Sequence, residues 1–255
     1  IGLPGALAGV VLFLLSARVT RSNTDAAVLS AALLFGTYFF PFSTIFFGHV
    51  PASFLSILLF YIACVDRSPS AWKLVASGAA AAWMVITEYP LAVHAVVLLV
   101  LVAFRLPDKK RLILLLPGIA SVTAVFFAYN TAAFGGWFKV GYMFEATEFF
   151  AQGHEQGFAG ITLPRPGVLY DLLLKPGSGI LFTSPFLFLA IPGALVSLRD
   201  PEWRAPAVAA LIMAAATVLI DASYYSPAPR HSIPAIPYLI FICAFCFKGA
   251  GASRR

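Results

Sequence analysis

Charge is what this chain has least of. Only 11% of its 255 residues are Asp, Glu, Lys or Arg, against 60% hydrophobic ones, and mean hydropathy is +0.89. Soluble domains carry about a quarter charged residues, so a water-soluble fold is excluded. Cysteine is equally scarce. Cys64, Cys243 and Cys246 all lie in apolar runs, which rules out a disulfide framework. The C-x-x-C spacing of the last two falls inside a lipid-embedded helix, where small apolar packing outweighs a redox or metal role. Long polar stretches are missing too, with one exception between Asn130 and Ser178.

What remains is a succession of apolar runs separated by short basic clusters. Nine are counted, at about 3–17, 26–47, 51–65, 74–88, 90–104, 112–129, 179–198, 205–222 and 233–247. Backbone groups in lipid are satisfied only by helices or closed barrels, and runs of this length are helices. The expected fold is all-α: a polytopic helical membrane protein with about nine transmembrane helices in one transmembrane domain over residues 1–255, carrying one long extracytoplasmic loop at 130–178.

Alternate loops give the orientation. One set holds Arg18, Arg21, Arg67, Lys73, Arg105, Lys109, Lys110, Arg111, Arg199, Arg204, Lys248, Arg254 and Arg255, which is 13 of the 17 basic residues. The other holds only Lys139, Arg165, Lys175 and Arg230. The positive-inside rule makes the first set cytoplasmic and puts the 130–178 loop outside. The pI of 9.4 then reflects a basic cytoplasmic skirt facing membrane lipids, and nucleic acid is not implied. A start at Ile1 on the exterior side, without Met or a signal-peptide pattern, leads us to expect an N-terminal truncation.

Function is expected on the outer side, where the polar residues collect. The run Pro41-Phe42-Ser43-Thr44 reads as a proline break whose freed carbonyls Ser43 and Thr44 can satisfy. His49 follows at a hairpin tip, either as an interfacial polar residue or as part of a site. Glu88 and Tyr89 sit in a four-residue turn, Thr87-Glu88-Tyr89-Pro90, at the membrane surface. A carboxylate there is costly unless paired or facing a polar cavity. His94, one turn further in, reads as a hydrogen-bonded packing residue.

The long loop carries Glu145, Glu148, Glu155, Asp171, Lys139, Arg165, Lys175 and His154 among aromatics and glycines. A short interfacial helix over 143–160, breaking at Gly153, would put Glu145 and Glu148 on one face, but no His completes a metal set. Lys175 followed by Pro176, Gly177, Ser178 and Gly179 leads into an apolar run. Open amides at such a helix start suit a lipid phosphate, and an ordinary turn is the equal alternative. In the last exterior loop, Arg230 and His231 stand beside two tyrosines. The arginine either grips a phosphate bidentately or snorkels to headgroups.

Four segments occur in order: Phe40-Pro41-Phe42-Ser43-Thr44-Ile45-Phe46-Phe47-Gly48-His49, Thr87-Glu88-Tyr89-Pro90, Lys175-Pro176-Gly177-Ser178-Gly179-Ile180-Leu181-Phe182-Thr183-Ser184-Pro185, and Pro229-Arg230-His231-Ser232-Ile233-Pro234-Ala235-Ile236-Pro237. Over about residues 35–240 the chain resembles the bacterial integral-membrane glycosyltransferases of the GT-C superfamily, related to protein O-mannosyltransferases. The resemblance implies a hexosyltransferase of the bacterial inner membrane. It would move a sugar from a polyprenyl-phosphate donor to an acceptor at the extracytoplasmic face. It implies Arg230 as a donor-phosphate contact, since Pro229-Arg230-His231 is similar to the family's Pro-Arg-Tyr. The family's catalytic Asp or Glu lies in its first exterior loop, which no segment here matches, so the catalytic residue stays unassigned. A divalent metal, used by some members, is the one cofactor left open. The sugar and acceptor are not specified. The alternatives are a transporter or flippase of a lipid-linked substrate, which would need charged residues deep in the spans, or a non-catalytic membrane fragment.

Overall fold

A computed structural model describes residues 2–248, so Arg254 and Arg255 of the basic set lie outside the described residues. The chain runs through α1 (Gly2–Thr20), α2 (Asn23–Phe35), α3 (Phe39–Ser43), α4 (His49–Val65), α5 (Ala71–Thr87), α6 (Ala92–Arg105) and α7 (Leu115–Phe134). Then come α8 (Glu148–Glu155), α9 (Pro166–Leu174), α10 (Ile180–Thr183), α11 (Ala190–Arg199), α12 (Arg204–Ser223) and α13 (Ile236–Cys243), with short 3-10 turns between several of them. Counting those turns with their helices, four segments are long and apolar enough to cross a bilayer: Gly2–Thr20, Lys109–Phe134, Arg204–Ser223 and Pro229–Phe247. Five shorter apolar helices accompany them, at Asn23–Phe35, His49–Val65, Ala71–Thr87, Tyr89–Arg105 and Pro185–Arg199. The architecture is all-α, polytopic and membrane-embedded.

The periphery confirms the solvent. Val10, Leu14, Val96, Val100, Val125, Leu195, Ile212 and Leu219 all project from the bundle, on five different helices. Such a belt would be a large apolar patch in water, but it is an ordinary surface against lipid. The centre is built by α4, α12 and the Pro229–Phe247 segment. There Phe60 meets Tyr238 and Phe241 edge to face, with ring centroids 5.4 and 5.1 Å apart.

The 26–47 run, expected to break at Pro41, breaks instead at Gly36 with Pro41 inside α3; the 179–198 run, expected as one span, breaks too, and the breaks meet. α2 stops at Phe35 because Gly36 caps it and Thr37 turns its hydroxyl back onto the Leu33 carbonyl, 2.7 Å away. The remainder of the 26–47 run forms the five-residue α3 and a turn. Ser43 and Thr44 there donate to the carbonyls of Phe39 and Pro41, both at 2.7 Å. The 179–198 run breaks at Ser184, directly before Pro185, and the Ser184 hydroxyl donates to the Gly36 carbonyl at 2.8 Å. The Ser184 hydroxyl thus satisfies the carbonyl that the other interruption frees, which makes a non-helical backbone tolerable inside the bundle.

Close helix packing depends on small residues. A Cβ on Gly78 would strike the Leu115 carbonyl, and one on Gly118 would strike the Val75 carbonyl, so α5 and α7 touch backbone to backbone. Gly118→Leu should therefore separate the pair and cost about 1–3 kcal/mol. An unchanged unfolding midpoint in detergent micelles would disprove this contact.

Candidate functional site

At the end of the bundle carrying the 130–178 loop lies a cavity of about 830 Å³. Its walls come from the start of α4, the α5–α6 turn, the loop around α8, the end of α12 and the 224–231 turn. Of the candidates that the sequence singles out, His49, Glu88, Tyr89, Arg230 and His231 line it, although they come from three separate turns. Lys175, Gly177, Ser178 and Gly179 do not line it.

The Lys175–Gly179 turn differs from the expected open anion cradle for a local reason. The amides of Ser178 and Gly179 both donate to the Lys175 carbonyl, at 3.2 and 2.8 Å. The Lys175 ammonium pairs with Asp171 one helical turn earlier, at 3.2 Å. The Ser178 carbonyl accepts from the Tyr38 hydroxyl at 2.8 Å. Donors expected to be free are occupied, and the helix they open, α10, is only four residues long.

Two histidine–carboxylate pairs stand side by side in the cavity wall. His49 is the first residue of α4 and is buried; its Nδ1 lies 2.9 Å from Glu88 Oε1. A carboxylate oxygen only accepts, so Nδ1 carries the proton and Nε2 is left for other partners. His231 Nδ1 lies 3.2 Å from Asp221 Oδ1, and the two imidazoles meet edge to face at 5.3 Å. The carboxylate of Asp221 is almost wholly buried and also accepts from the Ala228 amide at 3.1 Å and the Ser232 hydroxyl at 2.7 Å. Asp221 thereby ties the end of α12 to the start of the last crossing segment and positions both His231 and Arg230.

Among the described residues, Arg230 is the only Lys or Arg lining the cavity, which also holds Glu88, Glu145, Glu155 and Asp221. None of these acids makes an ion pair with it among the described residues. Its guanidinium instead sits over the Phe47 ring, 5.5 Å from the centroid. A cation–π contact fixes the group while leaving its donor edge unspent.

The long loop forms the opposite wall because it is laced to the end of α12. Thr162 N donates to Ser223 O and Tyr225 N to Gly160 O, both at 2.9 Å. Arg165 reaches back to the Ala222 and Tyr224 carbonyls with its side chain. Gly153 leaves room for the Tyr225 ring, which a Cβ there would strike. The expected helix break at Gly153 is absent: α8 runs through it to Glu155. Glu145 lies before α8, capping the 141–144 turn, so Glu145 and Glu148 do not share a helix face.

Sequence reasoning did not single out Tyr142, Tyr224 or Asp221. Burial first, then the carboxylates Glu88 and Glu145 nearby, hold the Tyr142 phenol well above its usual range. Burial and Tyr225 do the same for Tyr224. Both phenols therefore stay protonated as donors; Tyr224 pairs with His154 Nε2 at 3.0 Å, and the other ring nitrogen of His154 is buried without a partner. No group of three or more His, Cys, Asp or Glu suited to a metal occurs among the described residues.

Below the cavity, Thr217 links to a buried polar node. His94 Nε2 contacts Thr217 Oγ1 at 2.7 Å and Nδ1 contacts Ser56 Oγ at 2.9 Å, while Ser56 also meets Tyr238 OH at 2.5 Å. Every polar atom of the His94 side chain is satisfied, as its packing role requires.

No protein-family model matches the chain, and no curated protein matches it. Among solved structures, it is similar to the crystal structure of ArnT from Cupriavidus metallidurans bound to undecaprenyl phosphate, with a TM-score of 0.63 at 18% identity. The match covers 95% of this chain and 44% of that one. The chain thus has the fold of ArnT over nearly its whole length while spanning less than half the length of that protein.

Proposed function

We propose that this protein is a membrane glycosyltransferase that takes a sugar from a polyprenyl-phosphate carrier and passes it to an acceptor at the face bearing the 130–178 loop. The observation that carries this reading is Arg230, a cation without a carboxylate partner among the described residues, held on an aromatic ring in a large amphipathic cavity. The fold shared with a structure that holds undecaprenyl phosphate supports the same carrier class. Transfer from such a carrier leaves negative charge on the departing phosphate, and a guanidinium with free donors stabilises it. His49, with Nδ1 fixed by Glu88, presents Nε2 as a group able to accept a proton from an acceptor hydroxyl.

A transporter would need polar groups forming a route between the two ends of the bundle. His94, the deepest candidate, is consumed by local hydrogen bonds instead. The enzyme reading is tested by incubating membranes carrying the protein with polyprenyl-phosphate-linked sugars and following radiolabel into acceptor. Failure of every such donor to be consumed would reject it.

We place the cavity outside the cytoplasm, following the basic bias of the opposite loops. Glu155→Cys, on a background with Cys246→Ser, should then react with a membrane-impermeant thiol reagent in intact cells. Reaction only after lysis would invert the orientation.

A further inference from the structure

The basic end of the bundle holds a second cavity, of about 350 Å³, lined by Arg18, Arg21, Arg67 and Arg105 together with Glu202 and Trp203. It lies at the far end from the sugar-transfer candidates: α4 begins at His49 in one cavity and reaches Cys64 in the other. Seventeen helical residues separate the two by about 25 Å. The four arginines come from three chain segments. Arg18 is in the last turn of α1 with Arg21 just beyond it, Arg67 is in the α4–α5 turn, and Arg105 ends α6.

Helix C-termini favour cations, which accounts for basic residues near these ends. It does not account for four guanidiniums around one hollow with a single carboxylate among them. None of the four makes an ion pair among the described residues, whereas Lys73 pairs with Asp66 nearby at 2.6 Å. Arg105 donates one Nη to the Cys64 carbonyl at 2.8 Å, but its Nε is buried and has no partner. An unpaired guanidinium nitrogen is costly, and it leaves Arg105 without the carboxylate partner that a purely structural arginine would have. Arg21 is held at φ 57°, a left-handed conformation strained for a residue with a side chain.

We infer that this cavity is a phosphate-binding site, in which the arginine cluster takes the phosphate of an anionic lipid headgroup or a free phosphate. Planar guanidiniums match phosphate oxygens bidentately. Basic hollows between helix ends are where acidic phospholipid headgroups dock. The site involves no residue of the loop-side cavity, so it stands or falls independently of the sugar-transfer proposal.

The test is native mass spectrometry of the detergent-purified protein with phosphatidylglycerol, cardiolipin or phosphatidylcholine, alongside thermal shift with inorganic phosphate. Arg18→Gln combined with Arg67→Gln removes two exposed side chains and should leave the fold intact. The control, Lys110→Gln combined with Arg199→Gln, removes the same charge from the same end but outside the cavity. Retention of the anionic lipids, weakened about tenfold or more per arginine in the first variant and unchanged in the control, would identify a lipid phosphate. Stabilisation by inorganic phosphate with the same variant pattern, without lipid selectivity, would identify a free phosphate. Equal behaviour of both variants, or phosphatidylcholine bound as well as phosphatidylglycerol with no response to phosphate, would overturn the site.

Discussion

Asp221→Ala should be the most destabilising single change at the loop-side cavity. Its carboxylate, almost fully buried, receives the Ala228 amide, the Ser232 hydroxyl and the His231 ring nitrogen. Removing it strands three donors, of which the Ser232 hydroxyl is fully buried. Leaving buried donors without their acceptor costs about 1–3 kcal/mol for each donor that water cannot reach. The loss should appear as a lowered midpoint of unfolding in mixed micelles. Asp221→Asn should lose less, because its carboxamide oxygen still accepts one of the bonds. The 224–231 turn carries Arg230, so polyprenyl-phosphate binding should fall in both variants, following the order of stability. A stable Asp221→Ala protein with normal binding would show that the turn is held by its prolines alone.

The crossing segments were legible because lipid imposes one simple demand, a continuous apolar surface with every backbone group paired. The breaks were less so. Residues 38–47 are as apolar as a span, and hydropathy does not register that Gly36 ends α2 or that Ser184 serves the freed carbonyl. At the site, polar residues at span ends stood out against their surroundings, and five of them share the cavity wall. What the sequence hid was pairing across long separations. Asp221 looks like one more acid at a helix end until His231 and Ser232 are found on it. Tyr142 and His154 enter the wall only because Thr162, Arg165 and Tyr225 lace the loop to α12, and no local pattern records those bonds. The Lys175–Gly179 turn, where an ordinary turn stood as the equal alternative, shows the opposite case. Glycines beside a lysine suggested free donors, but tight turning spends the amides on the lysine's own carbonyl.

Arg230→Ala should strongly weaken recognition of the carrier while leaving the fold in place. The side chain has no ion-pair partner among the described residues, so its removal exposes no buried opposite charge. Only the contact with Phe47 is lost, a matter of about 0.5–1 kcal/mol at a partly exposed site. Binding is another matter. A bidentate guanidinium–phosphate pair contributes roughly 2–3 kcal/mol, so affinity for undecaprenyl phosphate should drop about 30- to 150-fold. Arg230→Lys keeps the charge but loses the fork, and should fall between the two. Phe47→Leu supplies a second handle, since it leaves the arginine but removes the ring that holds it, predicting a smaller loss. These affinities can be read by titrating the detergent-solubilised protein with undecaprenyl phosphate. Membrane insertion and unfolding midpoint should match the parent for Arg230→Ala, unlike Asp221→Ala. If Arg230→Ala binds the carrier as the parent does, the phosphate is held elsewhere and the cavity's role must be reassigned to its acids and histidines.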